Sequence, residues 1–271
     1  MRPIRTIAVF PTLLTLGNLV CGFFAIVVAS RVDRPETGIL DAGDVTNVMI
    51  GGWLVFLAMV FDALDGYVAR LSRTATDFGA ELDSLCDLVT FGVAPGFLLV
   101  KMCPWVTLDH NVSIWTIAAC FAVCAALRLA RFNVETSSDD EHLHFSGLPS
   151  PAAAAAIASF AIMFFTLRKE DNPLPFAHQL DVALQSVLPF FALVAALLMV
   201  SRIPYPHVVN QVFRGHRSFG HVVAVVFSLV LIMTVRGYAV PLVCCGFVLY
   251  GPVRYVWDKF VRGRPAQESA F

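Results

Sequence analysis

Four aspartates, Asp62, Asp65, Asp83 and Asp87, stand inside or beside stretches that otherwise read as membrane helices. A central Asp costs about 2.5–3.5 kcal/mol on insertion scales, so four cost on the order of 10 kcal/mol or more. Carboxylates at that density need a compensating cation. At ~100° per residue, Asp62, Asp65, Gly66 and Ala69 share an arc of about 100° on one helix, with Arg70 at its edge. Gly79, Asp83 and Asp87 share about 80° on the next. A turn near Leu71–Thr76 brings the two pairs to similar depth in an antiparallel hairpin. Facing carboxylates repel unless a divalent cation lies between them. An all-oxygen ligand set favours Mg²⁺ or Mn²⁺ over zinc. Gly66, Ala69 and Gly79 are the small residues on the acidic faces and leave a slot beside the metals, and Arg70 puts a cation where a phosphate would sit. The plainer reading is helix packing by small residues, with the aspartates paired to Arg70 and Arg73; it leaves two arginines against four aspartates.

These helices belong to a strongly apolar chain. Of 271 residues, 58% are hydrophobic and only 14% charged, with mean hydropathy +0.73. Soluble domains carry about 25% charged residues. The composition predicts an all-α, polytopic transmembrane bundle and one membrane domain over residues 1–258, followed by a basic cytoplasmic tail over 259–271. A net charge of −1 gives no basis for a nucleic-acid partner. About eight spans are expected, near Leu13–Ala29, Thr46–Ala69, Phe78–Val100, Val112–Ala130, Pro151–Leu167, Val182–Val200, His221–Val235 and Tyr238–Val256. The first apolar run is long and has no small-x-small cleavage site, so it reads as a retained helix rather than a signal peptide. With that order and a cytoplasmic N-terminus, 13 of the 19 Lys and Arg fall on the cytoplasmic side. The positive-inside rule then puts both termini, and the mouth of the acidic site, in the cytoplasm. The seven cysteines show no C-x-x-C metal pattern and read as small buried hydrophobes.

Other polar positions have two readings each. Asn18 lies in the apolar run of the first helix and either makes an interhelical hydrogen bond or lines a nucleotide site. Arg128 and Arg131, expected at the end of the fourth helix, are i,i+3 neighbours. They either anchor the inner surface or hold a phosphate or carboxylate bidentately. Ser150 is expected as the N-cap of the fifth helix with Pro151 at N1, a structural role that also leaves a helix N-terminus suited to an anion. His142, His144 and His207 read as loop histidines and Arg202 as a surface anchor.

The run Asp62-x2-Asp65-Gly66-x2-Ala69-Arg70-x8-Gly79-x3-Asp83-x3-Asp87 resembles the full signature of the CDP-alcohol phosphotransferases, with no departure at any fixed position. TLGNLVCGFFA, RLARFN and FSGLPSPAAA resemble the phosphatidylserine synthase branch of that family, over roughly Thr12 to Ala156. The resemblance implies a six-helix core with further C-terminal helices and a divalent-metal site of two ions, Mg²⁺ or Mn²⁺. By the same resemblance, Asp62, Asp65 and Asp83 are metal ligands, and Asp87 is the general base, also touching the second metal. Gly66, Ala69, Arg70, Gly79 and Asn18 would bind the CDP moiety, and Arg128, Arg131 and Ser150 the phosphate or the serine. The implied substrates are CDP-diacylglycerol and L-serine, with CMP leaving, in a protein embedded in the lipid bilayer and often a homodimer. Glycerol 3-phosphate, inositol phosphate and choline are the rival acceptors. A cation transporter is the rival class, but it calls for polar residues along several helices, whereas here they cluster near one side.

Overall fold

The computed structural model describes residues 9–32, 42–72, 76–103, 111–137, 147–168, 176–203, 205 and 236–260. The described residues form seven helices and no strand. They are α1 (Val9–Ser30), α2 (Ala42–Ser72), α3, α4 (Asn111–Ser137), α5 (Ser150–Leu167), α6 (Ala177–Val200) and α7 (Ala239–Phe260), the last entered through a 3₁₀ turn at Arg236–Tyr238. α3 is one continuous helix with three parts: α-helical Asp77–Asp87, a π-helical turn Leu88–Val93, and α-helical Ala94–Met102.

Six of these are long and apolar enough to cross a membrane, and Ala239–Tyr255 is a shorter apolar helix. This marks an integral membrane protein. The expected count of about eight spans is not reached among the described residues. His221–Val235 lies outside them, as do Arg73, His142, His144, His207 and the tail beyond Phe260. α4 runs on to Ser137, so Arg128 and Arg131 lie within it and not at its end as expected.

Two spans form the interior. About two-thirds or more of the α3 and α5 windows is buried (67% and 72%), against 28–44% for the other four. α1 packs along α2, α2 and α7 along α5, and α4 along α6 and the π-helical turn. Large apolar side chains point outward instead, among them Phe23, Trp53, Val60, Phe190 and Leu197. Such a coat suits lipid, where close packing of small residues holds helices together. A Cβ on Gly52 would lie 2.8 Å from the Ala158 carbonyl oxygen, and one on Gly96 would lie 2.9 Å from that of Ala118. The α5 alanines Ala153, Ala154, Ala156, Ala158 and Ala161 are fully buried. All seven cysteines are free, and Cys21, Cys86, Cys103 and Cys124 are buried, as their apolar setting predicts.

The entry to α5 is fixed by Gly147. Its φ of 95° is a conformation that L side chains rarely adopt, and a Cβ there would run into the Met199 and Ser201 carbonyls. The Gly147 N–H donates to Ile203 O (2.9 Å) and the Leu148 N–H to Leu198 O (2.9 Å). These bonds pin the chain against the end of α6 just before α5 begins.

Candidate active site

The acidic hairpin forms as the spacing predicts. α2 ends at Ser72, and the Thr76 hydroxyl caps α3 by accepting from the Gly79 N–H at 3.1 Å. One carboxylate oxygen from each of Asp62, Asp83 and Asp87 then lies within 4.8 Å of the others. Asp65 stands outside this triple but within electrostatic reach of Asp62 and Asp83. Asp65 and Asp87 are both buried. At 4.8 Å and an effective dielectric of ~20, each unneutralised pair repels by roughly 3 kcal/mol.

The donors around the cluster do not satisfy it. Asp65 Oδ2 and Asp83 Oδ1 are buried with no hydrogen-bond partner. Buried acceptors are normally paired, so orphaned ones facing a carboxylate cluster mark a place for a positive group. The donor set is all carboxylate oxygen, which fits Mg²⁺ or Mn²⁺. Asp62, Asp83 and Asp87, with Asp65 beside them, are the residues that would hold it.

Asn18 ties α1 to this site. It is fully buried and donates from Nδ2 to Asp87 Oδ1 at 2.8 Å. The π-helical turn that starts after Asp87 completes the tie, for Thr90 Oγ1 donates to the Asn18 carbonyl at 3.2 Å. Gly22 makes this approach possible, since a Cβ there would sit 2.8 Å from Thr90 Cα. Sequence showed that Asn18 was a polar residue in an apolar run, but its partner lies 69 residues away.

Arg128 and Arg131 go separate ways. Arg128 Nη1 donates to Ser150 Oγ at 2.9 Å, and its charge acts on Asp87. Arg131 Nε pairs instead with Glu135 Oε1 at 2.7 Å, an i,i+4 bridge on α4. Ser150 is not the N-cap: Pro149 takes that position, Ser150 is the first helical residue, and its hydroxyl is turned to Arg128. Its pre-proline position explained a helix start equally well one residue off. Asn133 has a role that sequence reading missed. It accepts from Ser84 Oγ (3.0 Å) and donates to Glu81 Oε2 (3.3 Å), binding α4 to α3 beside Asp83.

The slot residues differ from the packing glycines. A Cβ on Gly66 would meet nothing within 4 Å, and one on Gly79 only the Thr76 hydroxyl. Gly66 therefore borders open space beside Asp62 and Asp65. Ala69 and Arg70 lie on the same helix, and their side chains fall outside the described residues.

Residues 8–203 match the CDP-alcohol phosphatidyltransferase family. The chain belongs to that family. The match ends before α7 begins at Ala239. Individual relatives extend further. The CDP-diacylglycerol–serine O-phosphatidyltransferase of Methanocaldococcus jannaschii is 30% identical over 258 residues, covering 94% of this chain and 98% of the relative. The protein of the same name from Helicobacter pylori strain J99 is 29% identical over 255 residues, 94% of each chain. The archaetidylserine synthase of Methanothermobacter thermautotrophicus is 31% identical over 209 residues, 76% of this chain and 73% of the relative. In a member of this family, the acidic hairpin and the open ground at Gly66 are the natural place for the reaction.

Proposed function

We propose that this protein transfers the phosphatidyl group of CDP-diacylglycerol to the hydroxyl of L-serine, giving phosphatidylserine and CMP. The observation that carries the reading is the convergence of Asp62, Asp83 and Asp87, with orphaned buried oxygens on Asp65 and Asp83, in a chain of this family. Serine as acceptor is supported by the relatives, whose names share serine even where the lipid part of the name differs.

The reaction breaks the bond between the phosphatidyl phosphorus and the CMP oxygen and forms one from that phosphorus to the serine oxygen. A bound pair of divalent cations would neutralise the pyrophosphate and the charge developing on the leaving CMP. Asp62, Asp65 and Asp83 hold these ions. Asp87 takes the proton of the attacking hydroxyl and shares in ligation. Its Oδ1 is fixed by Asn18, so a set carboxylate orientation faces the acceptor. Gly66, Ala69, Arg70 and Gly79 border the cytidine and its phosphates. Arg128 and Ser150 stand on the acceptor side of Asp87, and Arg131 is held by Glu135 at its edge. Residues 1–258 act as one membrane domain, with both termini and the site facing the cytoplasm, where serine and CMP are soluble; a homodimer is compatible with this arrangement.

Purified protein in detergent with CDP-diacylglycerol and Mn²⁺ or Mg²⁺ tests the reading through CMP release. Release is expected with L-serine and is expected to stop on chelation. Release with glycerol 3-phosphate, inositol phosphate or choline in its place would keep the metal site and overturn the acceptor. Folded protein that releases CMP with none of them would overturn the transferase reading.

A further inference from the structure

Arg128 holds a guanidinium beside the base with part of its donor set unused. Of its five N–H donors, Nη1 is committed to Ser150 Oγ, whereas Nε is buried and has no partner. Leaving a buried donor unpaired costs about 1–3 kcal/mol, so a residue kept in that state is commonly completed by a ligand. Ser150 reinforces the point. It is fully buried, and because its oxygen accepts from Arg128, its own proton is left to donate. It also opens α5, whose first-turn N–H groups favour negative charge. Three features on two helices therefore converge on an anion, next to Asp87.

The charge balance limits which anion this is. Arg131, the second arginine of the motif, is already paired with Glu135. Among the described residues, that leaves one guanidinium for the acceptor. A single guanidinium matches a monoanion such as a carboxylate in charge and in fork geometry. A phosphate monoester carries about −1.5 to −2 and calls for further cations. The span is short as well. Arg128 acts directly on Asp87, so the acceptor's anionic group and its reacting hydroxyl must lie only a few bonds apart.

Given the transferase reading above, we propose that Arg128, backed by Ser150, is the subsite for the carboxylate of a small hydroxy-amino-acid acceptor and selects it over neutral and phosphorylated alcohols. The alternative is that Arg128 serves only as an internal counter-ion for Asp87. The two differ in how they treat the acceptor. A carboxylate subsite matters only when a carboxylate is present, whereas a counter-ion matters for every acceptor.

The test compares L-serine with serinamide, its near-isosteric neutral analogue, in CMP release from CDP-diacylglycerol with Mn²⁺. The wild type is expected to prefer serine, and Arg128→Met to raise the KM for serine by ~10–100-fold, the worth of a charge-assisted hydrogen bond. Serinamide turnover should change far less, so the preference collapses. Ser150→Ala should move it in the same direction by a smaller factor. Arg128→Lys keeps the charge and loses the fork. It is expected to retain the fold and weaken serine several-fold, so it carries the test if Arg128→Met does not fold. Binding of L-serine to the Mn²⁺- and CDP-loaded protein, followed by calorimetry, should weaken in parallel. Equal losses with serine and serinamide would overturn the subsite and leave the counter-ion role. A wild type that turns over the two acceptors equally would overturn it as well. Failure of the wild type with every alcohol would instead count against the transferase reading.

Discussion

Two groups of buried charge sit at opposite ends of α5, about 27 Å apart at ~1.5 Å per residue over its 18 residues. At the Ser150 end, the aspartates gather with orphaned oxygens, and Arg128 is the one described guanidinium acting on them. At the other end, Arg168 closes on Asp181, with Nε 3.0 and 3.1 Å from the two carboxylate oxygens and Nη2 2.9 Å from Oδ1. Gln185 adds a third donor at 3.0 Å, and the Phe164 ring lies 4.7 Å from the guanidinium carbon. The second cluster sums to zero charge and binds α5 to α6. The first does not sum to zero within the protein, and it borders open space at Gly66. Buried charge that is balanced internally holds helices together, and buried charge left in surplus is kept for something that arrives.

The sharpest way to break this contrast is to remove one carboxylate from the surplus cluster. Asp83→Asn is expected to lower CMP release by ~10³-fold or more, equivalent to about 4 kcal/mol of transition-state stabilisation. Its thermal behaviour should run the other way. Without metal, loss of one repelling charge holds or raises the melting temperature. Added Mn²⁺ then stabilises the variant less than the wild type, because the ion binds the native state more weakly. A lower metal-free melting temperature with an undiminished Mn²⁺ response would make Asp83 a structural group of the Asp181 kind.

The balanced cluster should answer in the opposite sense. Arg168→Met leaves Asp181 buried and unpaired, a loss of about 3 kcal/mol by the usual cost of breaking such a pair. It should melt well below the wild type while the folded fraction keeps kcat within about twofold. Arg168→Met combined with Asp181→Leu should recover much of that loss, since no charge is left buried. A fall in kcat that outlasts the recovered stability would show that this end of α5 communicates with the site.

How far each cluster was legible in sequence follows from the distance between its partners. The aspartates were readable because helical period alone puts each pair on one face, and one short turn brings the faces together. The arginines of α4 were half readable. Their i,i+3 spacing suggested a common task, but Glu135 stands four residues after Arg131 and holds it, a pairing hidden by ending that helix at Ala130. Asp181 was missed because the sixth span was expected to start at Val182, whereas α6 begins a turn earlier at Ala177 and buries it. The Asn18–Asp87 bond and the π-helical turn at Leu88–Val93 depend on contact between α1 and α3, which no local pattern announces. Fold class and the acidic site needed only local periodicity; the hydrogen-bonded surroundings needed tertiary packing.

Glycines offer the gentlest version of the same contrast. Gly52→Ala forces a methyl to within 2.8 Å of the Ala158 carbonyl oxygen and 2.9 Å of Ala161 Cβ. The α2–α5 seam has to give, at about 1–3 kcal/mol, the usual cost of overpacking. The melting temperature should drop while KM for CDP-diacylglycerol holds. Gly66→Ala puts the same methyl into open space and gains ~1 kcal/mol of helix propensity, so the melting temperature should hold or rise. If that space receives the nucleotide, KM for CDP-diacylglycerol should rise several-fold in the more stable protein. Unchanged KM in Gly66→Ala would place the nucleotide elsewhere, because a methyl that meets nothing in the empty site can be felt only by a ligand that fills it.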